Sequence, residues 1–205
     1  MKHMYAPAGM EISDAEEIAG LLQVRLADLT DLSLTLKHVH WNVIGLGFTS
    51  IHELMDQQAE VVRGMIDEVA ERITALGAIA GGLPTQVAEN RTSDADYALG
   101  RGPVMAHLGA LDKVYERVIT GHRGAIERVG DVDAVTEDLL IGQTAKLDLN
   151  HWFIRAHVSD TEGKLATAGT ESEMEAAATS AHLLQPGGET ERVESEDEEE
   201  LVPLT

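Results

Sequence analysis

No cysteine occurs among the 205 residues. Disulfides, thiolate metal sites and thiol catalysis are therefore excluded. The chain also lacks an uninterrupted apolar run near the roughly 20 residues needed to cross a bilayer. Its opening, MKHMYAPAGM, has no hydrophobic stretch of the kind found in a secretory signal. A cytoplasmic location is expected, with nucleoid association as a variant of it. Aromatic residues make up only 3% and no cluster of Lys and Arg appears, which argues against a basic, base-stacking surface. Basic residues number 15 against 36 acids, for a formal net charge of -21. Such an exterior repels phosphate and attracts cations. With no nucleophile elbow or phosphate loop, hydrolase and nucleotide chemistry have no support.

What is present is a chain 43% hydrophobic, enough for one domain with a substantial core. Ser13 followed by Glu16 predicts a capping box, after which Ile18, Leu22, Leu26, Leu29, Leu32, Leu36 and Val39 mark one face of a long helix ending near Trp41 and Asn42. A second helix is expected from Phe48–Ser50 to Leu76, closed by Gly77. The segment 77–102 is rich in turn formers and reads as a long crossover, with a short helical piece near Asp94 to Leu99. Pro103 suits the first turn of a third helix running toward Val129, and a fourth follows from about Val132 to Ser159. Short first and third connections with a long middle one describe an all-α four-helix bundle of two hairpins. The expected organisation is an N-terminal extension over 1–12, the bundle over 13–160 and an acidic tail over 161–205. In that tail Glu171 to Leu184 is compatible with helix, and Gly187 to Glu200 reads as disordered.

The chemistry concentrates in five candidate ligands: His40, His52, Asp56, Asp67 and Glu71. His52 and Asp56 are four residues apart, as are Asp67 and Glu71, so each pair projects from one helix face. Taken singly, such a carboxylate pair is ordinarily a solvated helix face, and a lone histidine is ordinarily structural. Jointly they are in phase but about 16 Å apart along one helix, too far for a shared ion. An antiparallel copy across a two-fold axis brings Asp67 and Glu71 of one subunit opposite His52 and Asp56 of the other. Two identical sites, roughly 22 Å apart, result. His40, at the end of the first helix, is returned past by the hairpin and adds a third donor. Imidazole and carboxylate donors without sulfur suit iron, manganese or zinc.

The run LTLKHVHWNVIGLGFTSIHELMDQQAEVVRGMIDEVAERITALG, Leu34 to Gly77, resembles the ferroxidase segment of the Dps family, the miniferritins named as DNA-binding proteins from starved cells. The resemblance rests on His40-Trp41-Asn42, on His52-Glu53 with Asp56, and on Asp67 to Arg72. It extends more weakly from about Ser13 to His157, through DLLIGQTAKLDLNHWFIRAH. It implies a ferritin-like fold, a hollow shell of twelve subunits, oxidation of ferrous iron at intersubunit sites with hydrogen peroxide as the usual oxidant, ferric mineral stored inside, and protection against oxidative stress. Larger ferritins use Glu-x-x-His elements within one subunit, and none occurs here.

By the same resemblance Trp41 lies near the iron, either packing the hairpin corner or trapping stray radicals. Iron entry at three-fold pores points to Asp138 and, more weakly, Asp133; helix capping is the competing account. The tail holds twelve acids against Lys164 and Arg192, and the N-terminus offers only Lys2 and His3, so direct DNA binding is not expected. Alternative functions are a non-catalytic zinc- or manganese-binding cage and a nucleoid structural protein. His38, His107, His122, His151 and His157 show no partner pattern and read as surface or packed side chains.

Overall fold

The computed structural model describes residues 5–183. In chain order the elements are α1 (Ile12–Asn42), β1 (Val43–Ile44), α2 (Phe48–Ala75), α3 (Pro84–Asn90), β2 (Gly102–Pro103), α4 (Val104–Val129), α5 (Ala134–Val158) and α6 (Glu173–Ala181). The four long helices form a bundle in which α1 pairs with α2 and α4 with α5. Their apolar stripes meet in one core: Leu22, Leu26, Leu29 and Leu36 from α1, Met55, Met65 and Val69 from α2, Leu111 and Tyr115 from α4, Leu147 and Ile154 from α5. Helical spacing of those residues is what places them on one side, and burial of that side stabilises helices that would be marginal in isolation.

The long middle connection climbs α1 from end to end. Gln23 and the backbone of Gly81 exchange two hydrogen bonds of 2.8 Å. Higher up, Asp28 accepts from the Thr92 amide at 2.7 Å, and Arg91 donates to Asp31 at 2.7 Å. Near the top, His38 Nε2 meets the Leu99 carbonyl at 2.8 Å. The climb ends where β1 and β2 pair in parallel, Val43 with Gly102 and Ile44 with Pro103. That bridge fixes the α1–α2 corner against the start of α4.

Three local expectations need correction. The crossover helix forms over Pro84–Asn90, not near Asp94 to Leu99. Pro84 is preset for the first helical position, the Gln86 side chain accepts from the Leu83 amide at 3.1 Å, and Asp96 is instead drawn out to Arg91. At the front of α1 the N-cap is Glu11, and Ser13 Oγ turns to the Asp14 carboxylate, so no capping box forms. Pro103 is the residue preceding α4 and not part of its first turn.

Beyond α5, residues through Leu183 are packed on the bundle. Ser172 caps α6, and its Ala176 and Ala177 lie buried against α4 beside Ala106 and Ala110. Close approach depends on Gly109, where an added Cβ would meet the Ala176 carbonyl oxygen at 2.3 Å and the Ser180 hydroxyl at 2.5 Å. The disorder expected for Gly187 to Glu200 lies outside the described residues.

Overpacking of this kind costs about 1–3 kcal/mol. Gly109→Ala is therefore expected to unseat α6, raising amide exchange over Glu173–Ala181 while α1, α2 and α5 keep their protection; unchanged exchange in α6 would contradict the packing described.

Candidate metal centre

His40 and His52 face each other across the α1–α2 corner. The His40 Nδ1 lies 2.7 Å from the His52 carbonyl oxygen, and the His52 Nδ1 lies 2.9 Å from the His40 carbonyl oxygen. A carbonyl can only accept, so each Nδ1 carries a proton and Nε2 is the ring nitrogen left to bind a metal. The rings stack with centroids 3.6 Å apart and 19° between planes, and Phe48 leans on His52 with centroids 5.1 Å apart. This is the arrangement that orients a metal-ligating imidazole, its second nitrogen tied to backbone.

Asp56, one turn past His52, is exposed, with an oxygen 3.9 Å from the His40 Nδ1. Its nearest partner is the ammonium of Lys37. That hydrogen bond holds Asp56 below the ordinary carboxylate range, against a smaller opposing effect of desolvation. The same ammonium lies 5.8 Å from the centre of the Trp41 ring, and Trp41 is 69% exposed in the single protomer.

Asp67 and Glu71 lie further along α2, both exposed. Their neighbours are engaged: Glu68 accepts from Gln143 at 2.9 Å, and Arg72 pairs with Asp133. The Asp67 and Glu71 carboxylates themselves carry no bond among the described residues. Within one protomer and among those residues, no three His, Asp or Glu side chains converge to hold a metal ion. The chain brings His40, His52 and Asp56 to one corner and leaves Asp67 and Glu71 apart from them.

Of the two acids singled out at the start of α5, Asp133 is buried and committed. It caps the Val135 and Thr136 amides and pairs with Arg72. Burial raises its pKa, but the bonds from Thr136 and Arg72 outweigh this and leave it lowered. Asp138, by contrast, is exposed.

Three of the unassigned histidines are buried, and the sequence carried no periodic signal for their partners. His151 Nε2 bonds to Asp112 at 2.6 Å, beside Arg155 at 2.7 Å and Thr167 at 2.6 Å, so one carboxylate joins α4, α5 and the segment leading to α6. Burial opposes its ionisation, yet those donors hold Asp112 well below the usual range. His107 bonds to the Tyr97 hydroxyl at 3.1 Å. Burial, with His38 nearby, lowers His107 to about 4. His122 is likewise lowered to about 4, by burial and then by Arg25.

The ferritin-like domain family matches residues 19–163. The DNA protection during starvation protein of Mycolicibacterium smegmatis is 47% identical over 169 residues, covering 82% of this chain and 92% of that protein. The chain belongs to the Dps family. Among solved structures, Mycobacterium smegmatis Dps is 45% identical with a TM-score of 0.79, covering 83% of this chain and 97% of that one. DpsA14 from Streptomyces coelicolor is 48% identical with a TM-score of 0.78, covering 80% and 96%. The Dps fold thus accounts for the bundle and the long crossover, and membership among ferritin-like proteins implies iron handling in general terms. No described helix is long and apolar enough to cross a membrane.

The buried histidines make acid stability of this Dps chain a direct check on the geometry. Below about pH 6.5 the unfolded chain takes up protons that folded His107 and His122 refuse until about pH 4. Their contribution is present above pH 6.5 and is lost as pH falls to about 4, by up to about 3 kcal/mol each. Urea midpoints should fall across this window, and less steeply in a His107→Gln, His122→Gln double variant; parallel pH profiles would contradict the neutral, buried assignment.

Proposed function

We propose that this Dps-family chain is a ferroxidase and iron store acting at sites shared between two subunits. The observation that carries this reading is the reciprocal clasp of His40 and His52, which engages each Nδ1 and leaves each Nε2 without a hydrogen bond among the described residues, at the same corner as Asp56. Asp67 and Glu71 of a neighbouring subunit, their carboxylates unengaged among the described residues, complete the donor set across a two-fold axis. The substrate is ferrous iron. Two ferrous ions each give up one electron to one hydrogen peroxide, whose O–O bond breaks to give two hydroxides that end in water or in the ferric product. Hydrolysis of the ferric product releases protons to water.

The chain's own groups have distinct parts in this. The two imidazoles are held in the ligating tautomer before any ion arrives, and the carboxylates, in excess over cationic partners, favour the ferric product. A shell of twelve subunits encloses the mineral, and exposed Asp138 is the candidate for the entry pore, Asp133 being spent on α5. Protection of DNA, which names the relatives, follows from removing ferrous iron and peroxide together. Direct contact with DNA is opposed by the net charge of -21. The setting is the cytoplasm, with zinc and manganese as competing occupants of the same donors.

The test is anaerobic loading of ferrous iron followed by peroxide, with absorbance and particle size recorded. Asp67→Ala together with Glu71→Ala is expected to leave assembly intact and slow iron oxidation by about tenfold or more, a barrier change of about 1.4 kcal/mol. Normal rates in that variant would refute the shared site. Stoichiometric zinc or manganese binding without iron turnover would instead establish a non-catalytic cage.

A further inference from the structure

We propose that the middle of the bundle is a binding site for one structural water molecule, held by Arg25 on α1, His122 on α4 and Gln143 on α5. All three residues are buried, at 5%, 0% and 1% exposure. Arg25 Nη1, His122 Nε2 and Gln143 Oε1 are enclosed, and none has a hydrogen-bond partner among the described residues. They share one neighbourhood. The guanidinium lies so close over Gly121 that a methyl group there would stand 1.7 Å from Nη1, which sets that nitrogen against α4 next to His122 in sequence. Burial, and then the Arg25 charge, lower His122 to about 4, against opposing effects of the Val118 carbonyl and the Gln143 side chain.

The remaining atoms of each group are already committed, and this decides what the three unpartnered positions offer. His122 Nδ1 lies 3.1 Å from the Val118 carbonyl oxygen, so it carries the proton and the neutral ring presents a lone pair at Nε2. Gln143 Nε2 donates to the Met65 carbonyl at 3.1 Å and to the Glu68 carboxylate at 2.9 Å. Turning that amide over would set its oxygen against two acceptors, so Oε1 is the atom left over. Arg25 Nη2 meets Asp28 Oδ2 at 2.8 Å, which leaves Nη1 as a donor. The site thus has two acceptors and one donor.

Charge selects the occupant. Asp28 already balances Arg25, so an anion would bring an unpaired charge into the core, and a metal ion or ammonium would face the guanidinium. What fits is a neutral molecule that accepts once and donates twice. Water does so, and a buried water makes about three hydrogen bonds. Held there, it ties α1, α4 and α5 together, and Gln143 extends the tie to Met65 and Glu68 on α2.

The test is a crystal structure of the purified assembly, grown with bromide and refined at a resolution that shows ordered solvent. One peak is expected about 2.5–3.2 Å from each of the three atoms, without bromide anomalous signal. Anomalous signal at that point would overturn the neutral occupant, and a direct bond from Arg25 to His122 or Gln143 with no peak would overturn the site. His122→Leu removes one acceptor and should lose the peak; should it not assemble, Gln143→Met removes the other. A peak of undiminished height in the assembled variant would overturn the assignment of these side chains, and if neither variant assembles the unmodified protein still decides.

Discussion

The candidate metal centre depends on two backbone carbonyls reached across one helical hairpin. His40 closes α1 and His52 opens the second turn of α2, and each imidazole is anchored to the other residue's main chain. For the His40 carbonyl, in the last turn of α1 where carbonyls lack intrahelical partners, the exchange supplies the missing donor. It also determines which nitrogen of each ring is protonated. A change in the corner's backbone would therefore alter the chemistry of both rings at once, and the parallel bridge between Val43 and Gly102 braces that backbone.

The distribution of charge inside the subunit supports the same division of labour. Several polar groups within the bundle hold it together: Asp112 gathers three donors from two segments, Asp133 caps α5, and Gln58 accepts from Tyr115 at 2.8 Å. Arg25 lies against Gly121, where even a methyl group would collide with the guanidinium at 1.7 Å, so mid-bundle space is already filled by a cation. The carboxylates left without such duties, Asp67 and Glu71, are on the outside of α2.

The four long helices were legible because their apolar residues recur with helical period over six or more turns, and because Gly77 stands at its expected end, in a left-handed conformation with φ 91°. The short α3 was not, since Pro84 lies among turn formers that hide a two-turn helix. The spacing of the five candidate donors could be read directly, as could the fact that one chain holds them apart. The histidine clasp could not, because its acceptors are backbone atoms and carry no residue signature. Lys37 escaped notice for a different reason: a lysine on an amphipathic helix is ordinarily solvated, and only its burial beside Trp41 and Asp56 distinguishes it. The buried His107, His122 and His151 likewise depend on partners from distant segments, which periodicity does not reveal.

The crossover has a property that its ties to α1 conceal. Between Leu76 and Gly102 it must cover roughly the length of α2, about 42 Å, yet the same residues with α3 folded reach about 69 Å when drawn out. The connection is thus slack by several residues, and its path along α1 is chosen by hydrogen bonds and not imposed by tension. Related sequences are free to lengthen or shorten it near the exposed Asp94–Asp96 stretch, because surplus chain bows outward before any pull is felt at Val43.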